Sequence, residues 1–196
     1  RDMLARVLNG GQTSLIIGFL AASISSIVGL FIGINAGYFK GNIDKTITIM
    51  IDLFLTFPTF FLLLALVSYI QASALILIIV ISITSWMGMA RMIRSESFAI
   101  GNKPFIKILK VANVSTFKII FKYFAPLLAP IFLISFTFGV GGSILAESGL
   151  SFLGLGINPP SMSWGSLLSD GKAVIDIAWW VSFFPGLMIF LITFCL

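Results

Sequence analysis

Few residues in this sequence could carry covalent or metal chemistry. Its 196 residues include 12 Lys and Arg, 7 Asp and Glu, one Cys and no His. Without histidine, zinc chemistry and imidazole acid–base catalysis lose their usual side chain. Cys195 has no second cysteine to pair with, and its apolar neighbours suggest a lipid-facing or packed thiol. No carboxylate pair and no Ser/Lys constellation offers an enzyme site. Gly171-Lys172-Ala173 lacks the Ser/Thr and upstream glycine of a phosphate-binding loop, so the chain itself should not bind ATP. No cofactor and no metal is expected. Two carboxylates remain that stand in apolar surroundings. Asp52 is the only charge between Thr46 and Ala90. A charge inside a membrane is expensive and marks a function by default, here a gate or a helix–helix contact. The alternative is a place near the end of a span, where Asp52 reaches water or Lys45. Glu147 either faces a pathway or ties a loop to a neighbouring helix.

The elements that position such residues must suit lipid. The chain is 59% hydrophobic and 10% charged, with mean hydropathy +1.12. Soluble domains carry roughly 25% charged residues, so an ordinary cytosolic domain and a disordered tail are both excluded. A spanning helix needs about 20 mostly apolar residues. Five uncharged or nearly uncharged runs qualify. The first is Thr13–Gly37. Thr46–Ala90 holds two, with a turn near Tyr69–Ser73. Tyr123–Ala146 and Ile177–Leu196 complete the set. None alternates apolar and polar residues with period two, which argues against a barrel and for helices. Ser148–Ser169 is also uncharged, but its prolines, glycines and serines predict a structured loop with short interfacial pieces and Trp164 near the headgroups, a re-entrant loop being the alternative.

Charge placement orients the spans. Arg91, Arg94, Lys103, Lys107, Lys110, Lys118 and Lys122 share one side with Lys40 and Lys45, nine of the 12 basic residues. Lys and Arg favour the cytoplasmic side, which puts the N-terminus outside and the C-terminus inside. The net charge of +5 is thereby a topology signal, and no nucleic acid partner is needed. Asn113-Val114-Ser115, a glycosylation pattern, falls on the cytoplasmic side and is discounted. The ends are abrupt: Arg1-Asp2 replaces an initiator Met, and Leu196 closes an apolar run. They suit a piece of a longer chain.

The cytoplasmic segment 91–122 is too long for a simple turn, and loops of that length usually carry function. Phe105, Ile106, Ile108, Leu109 and Ala112 alternate at helical spacing with Lys103, Lys107 and Lys110. Pro104 suits a first helical turn, and Asn113 suits a helix end because it tolerates the left-handed conformation. Two short helices joined at Asn113 are predicted. They either lie on the anionic inner leaflet or dock a partner protein. Elsewhere, Gly29, Gly33 and Gly37 lie four apart and predict close helix packing. Pro58 predicts a kink in the second span. Gly141 and Gly142 allow packing or bending, and Trp179 and Trp180 suit an aromatic belt.

Several stretches together resemble the inner-membrane permease subunit of ATP-binding-cassette importers of the dipeptide/oligopeptide/nickel family. They are Arg1–Arg6, Ala36-Gly37-Tyr38-Phe39, Asp52 with Phe57-Pro58, and Ala90–Arg94. The most specific is ILAESGLSFLGLGINPP, Ile144 to Pro160, followed by Ser163-Trp164-Gly165. The resemblance implies an all-α membrane protein with the five transmembrane helices of a type I importer permease core. Residues 1–196 would form a single permease domain, with a cytoplasmic coupling segment at 91–122 and an extracytoplasmic loop at 148–176. It also implies a coupling helix that docks on an ATPase subunit, over Pro104, Phe105, Lys107, Ile108, Leu109, Lys110, Ala112 and Asn113. The family's Glu-Ala-Ala…Gly motif falls on Lys107-Ile108-Leu109 and Asn113, so a lysine stands at the glutamate position. Asp52, Pro58, Gly141, Gly142 and Glu147 are the candidate pathway or gate residues. The implied partners are a second homologous permease subunit, two ATP-binding subunits, an extracytoplasmic substrate-binding protein and membrane lipid. The implied setting is the plasma (inner) membrane of a bacterium or archaeon. The expected function is non-catalytic: a pathway for peptides, nickel or a metal–chelator complex, with ATP hydrolysed by the partners. A secondary transporter or channel working without ATPases is the alternative, and it would need polar midplane residues.

Overall fold

A computed structural model describes residues 2–69, 73–157 and 160–196. Every regular element among the described residues is helical. In chain order they are α1 (Met3–Phe39), α2 (Gly41–Thr56), α3 (Thr59–Ser68), α4 (Ala74–Gly101), α5 (Pro104–Val111) and α6 (Thr116–Ile119). A π-helical turn over Ile120–Phe124 then leads into α7 (Ala125–Phe152), followed by α8 (Trp164–Lys172) and α9 (Trp180–Cys195). Three stretches are long and apolar enough to cross a membrane: α1, α4 and the continuous run Thr116–Phe152. The pair α2–α3 passes the same test jointly but is bent by 76°. The fifth expected span is the 16-residue apolar helix α9. This is the all-α membrane class that the sequence predicts. Part of the predicted turn near Tyr69–Ser73 lies outside the described residues.

The breaks between helices have local causes. Between α1 and α2, Lys40 and Gly41 both take positive φ, 56° and 60°. Lysine is disfavoured there. Its side chain is held by Asn102 Oδ1 at 2.6 Å and lies 4.2 Å from the Phe98 ring centroid. Between α2 and α3, Phe57 is extended and Pro58 supplies no N–H to continue the ladder. The predicted kink at Pro58 is therefore a complete break. Pro104 opens α5, and Asn113 closes the turn after it at φ 55°.

Three helices run further than the apolar spans suggest, α4 by continuing past Ala90 through Arg91 and Arg94 to Gly101. The N-terminal turns of α1, before Thr13, stay helical because Gly10 and Gly11 are covered by Ser163, Trp164 and Leu167. The C-terminal end of α7 continues past Ala146 to Phe152. There Ser148 and Ser151 find a buried carboxylate to bond, so they need no water.

The chain divides into two compact units. One comprises Arg1–Ile24, Pro58–Thr84 and Thr137–Leu196. Its core gathers Ile17, Ala21, Leu63, Leu77, Ile81 and Leu150, each nearly or fully buried. The second comprises Ser25–Phe57 and Ser85–Phe136. Its core is built on Ile93, Ile100, Ile106, Ile119, Phe124 and Leu128. The predicted glycine face of α1 packs here on α4: a Cβ at Gly29, Gly33 or Gly37 would fall within 2.5–2.7 Å of Met89, Ala90 or Ser97. Such contacts are possible only without a side chain, which is how small residues let membrane helices approach.

Candidate functional site

Two groups of candidate residues are brought together, one in each unit. In the second unit the group is α5. Its inward face is Ile106, fully buried, and Leu109, packed against the same cluster. Phe105 stands 6.2 Å from Tyr123, ring to ring. Lys110 lies along the helix flank with its Nζ 4.1 Å from the Tyr38 ring centroid, a cation–π contact. Tyr38 donates onward to Thr116 Oγ1 at 3.4 Å. These contacts hold α5 from behind. Its outward face is formed by Pro104, Lys107, Ile108 and Val111, which helical spacing puts on one side. Ile108 is 67% exposed and Val111 84%. Ala112 and Asn113 end the helix and are also exposed. Ile108 and Val111 thus leave apolar surface beside Lys107 that the chain's own core does not cover.

Lysine placement adds to this. Lys103 and Lys107 lie at the start of α5, and its first turn holds no acid. Cations there oppose the helix dipole. The outward flank of α5 is therefore positively charged as well as apolar, with Lys110 in the last turn complementing the dipole.

Two ion pairs join α2 to α4 in the same unit. Asp44 takes a bidentate bond from the Arg94 guanidinium, with Nη2 at 2.8 Å from Oδ2. Asp52 accepts from Arg91 at 2.7 Å, and both side chains are more than half exposed. Asp52 is therefore a helix–helix contact, and its partner is Arg91, not Lys45.

In the first unit the group centres on Glu147, whose side chain is fully buried. Ser14 Oγ donates to it at 2.9 Å, Ser151 Oγ at 2.6 Å and Ser148 Oγ at 3.5 Å. The ion pairs among the described residues are Arg6–Asp170, Arg91–Asp52 and Arg94–Asp44, so Glu147 has no cation. Ser14 also accepts the backbone N–H of Trp164 at 3.1 Å. The Trp164 indole donates to the Val7 carbonyl at 2.9 Å. Trp164 is 5% exposed, so it is not the headgroup anchor that the sequence predicts. It is buried because the glycines of α1 leave room for its ring. Beside this cluster a cavity of about 460 Å³ is lined by Arg6, Ser151, Ser166 and Asp170 among others. Trp179 and Trp180 are both exposed.

The remaining candidates do not join either group. Pro58 sits at the α2–α3 break. A Cβ on Gly141 would meet only Thr193 and Leu196 at ordinary contact distance, and one on Gly142 would meet nothing. Sequence reading missed the roles of Ser14 and Ser151 and the pairs Arg6–Asp170 and Arg94–Asp44, and it misplaced Trp164. Partners 50 to 164 positions apart leave no periodic trace. The one available signal was Gly10-Gly11, a small face opposite a large aromatic.

Residues 26–196 match the family described as binding-protein-dependent transport system inner membrane component. The chain is 35% identical over 195 residues to the oligopeptide transport system permease protein OppC of Haemophilus influenzae, covering all of this chain and 63% of that protein. It is 34% identical to the Escherichia coli K12 OppC, covering 65% of it. The Mycobacterium bovis OppC is 36% identical over 197 aligned positions, with 68% covered. The chain thus spans about two thirds or less of the H. influenzae and E. coli relatives. Among solved structures, a chain of the inward-facing MetNI methionine ABC transporter superposes with a TM-score of 0.78 at 15% identity, over 98% of this chain and 94% of that one.

Proposed function

The chain belongs to the binding-protein-dependent transport system inner membrane component family, with the fold of a type I importer permease in a multi-pass membrane protein, and from that premise we propose that it is the transmembrane subunit of an ATP-driven importer. It lines part of the route that solute takes across the membrane. Short peptides are its cargo class, on the strength of the oligopeptide permeases that it matches along its whole length. Nickel and metal–chelator complexes have no comparable support. ATP is hydrolysed by partner subunits, and a second permease subunit completes the pathway. Residues 91–122 are the cytoplasmic coupling segment, and 148–176 the extracytoplasmic loop that meets a substrate-binding protein.

The outward face of α5 carries this reading. Ile108 and Val111 project away from the chain's own core, beside Lys103 and Lys107. The partner that fits is a protein cleft with an apolar floor and carboxylates at its rim. Lipid would take the apolar face as well, and co-purification separates the two. ATPase subunits should come down with the intact chain. They should be lost when residues 105–112 are replaced by a flexible linker, while the membrane-inserted chain persists. Retention of the ATPases by the linker variant would refute the docking reading.

A further inference from the structure

Glu147 is a buried carboxylate that the docking of α5 leaves unused. It lies where three elements converge. It belongs to α7, its donor Ser14 belongs to α1, and Ser14 in turn holds the first N–H of α8. The approach is close on every side. A Cβ at Gly165 would stand 2.5 Å from the Ser148 carbonyl oxygen, and one at Gly11 would stand 2.8 Å from the Trp164 ring. Ser163 caps α8 by accepting from Ser166 N, and Ser166 Oγ accepts from Ser163 N at 2.8 Å.

The direction of the relay follows from proton counting. Serine has one hydroxyl proton and two lone pairs. The Trp164 N–H can only donate and occupies one Ser14 lone pair, and the single Ser14 proton goes to Glu147 Oε2. Ser151 and Ser148 likewise spend their protons on Glu147. Remove the acceptor and the Ser14 hydroxyl is free to turn toward the α1 backbone, as serines in helices do. Trp164 then loses a defined partner at the start of α8.

We propose that Glu147 is a positioning residue: through Ser14 it locks the start of α8 onto α1 and α7, and so sets the face of α8, with exposed Asp170 and Lys172, that meets the extracytoplasmic binding protein. The Arg6–Asp170 pair, 2.8 Å apart, ties the later part of α8 to α1, and exposed Lys172 holds its Nζ 5.5 Å from the Phe152 ring centroid. The second clause of the proposal rests on the reading that residues 148–176 face outside.

The experiment uses the assembled importer in lipid nanodiscs with its own extracytoplasmic binding protein, in a Cys195→Ser background. Nitroxide labels at Asn9→Cys and Lys172→Cys report the α1–α8 distance by pulsed electron resonance, while binding-protein stimulation is read separately in unlabelled protein that keeps Asn9 and Lys172. Glu147→Gln, which keeps the shape but offers one acceptor oxygen for two, should broaden that distance distribution. It should also raise the binding-protein concentration for half-maximal ATPase stimulation on the order of tenfold, with the maximal rate retained. Ser14→Ala should do the same with Glu147 intact. An unchanged distance distribution in both variants overturns the lock. A lowered maximal rate at unchanged distance also overturns it, since that is the behaviour of a pathway residue. A broadened distance with unchanged half-saturation overturns the placing of the binding protein on α8, and with it the reading of the outer loop, while leaving the role of α5 untouched.

Discussion

Single residues in this chain act mainly by what they lack. Gly33 has no side chain, and a Cβ there would stand 2.7 Å from the Ala90 carbonyl oxygen and 2.8 Å from the Ile93 Cβ. Neither obstacle is the flexible end of a side chain, so α1 and α4 would have to separate. Gly33→Ala should therefore destabilise the detergent-solubilised protein by about 1–3 kcal/mol, the usual range for overpacking. Gly88→Ala on α4 is the control, because a Cβ there meets nothing within 4 Å. Thermal melts of the two variants should separate, with Gly88→Ala at or above the parent. Equal melting would mean that the helices are not closely packed at Gly33. Charged residues act in the opposite way, by pairing. Asp44, Asp52 and Asp170 each meet an arginine across helices, whereas Glu147 is held by hydroxyls alone. Its spacing in the sequence says only that it lies late in an apolar run.

At the scale of elements, the informative positions are the joints. The α2–α3 break interrupts an apolar run that would otherwise be continuous helix, whereas the π-helical turn at Ile120–Phe124 stays within the continuous helix Thr116–Phe152. The joint after α5 has a sharper requirement. Asn113 is at φ 55°, a conformation that costs most L-residues about 1–2 kcal/mol and β-branched residues more. The cost falls on the turn that aims α5, because Val114 N bonds back to the Leu109 carbonyl across it. Asn113→Gly should preserve substrate-stimulated ATP hydrolysis in the assembled importer. Asn113→Val should reduce it several-fold while ATPase subunits still co-purify. Equal stimulation in both variants would show that the aim of α5 does not matter for coupling. Proline and asparagine at the two ends of α5 were legible from sequence because each restricts its own backbone. Which side of α5 would be covered was not legible, since Ile108 and Val111 on one side are as apolar as Ile106 and Leu109 on the other.

For the whole molecule, the testable statement is orientation. Single cysteines at Lys107 and Lys172, in the Cys195→Ser background, should react with impermeant maleimide on opposite sides of the membrane. Lys172→Cys should label in intact cells, and Lys107→Cys only after the inner face is opened. Labelling of both from outside would reverse the assignment of the basic segment. Composition and charge decided by themselves that this chain is helical and lives in lipid, and where its apolar runs begin and end. Those properties are sums along the chain, and each span satisfies its own backbone without help from the others. The tertiary structure decided the rest. It buried Trp164, gave Asp52 to Arg91, carried α1 and α7 beyond their apolar limits, and surrounded Glu147 with serines. The physical reason is range: a hydrogen bond or a missing Cβ matters only to the atom that approaches it, and that atom comes from a helix far away in sequence.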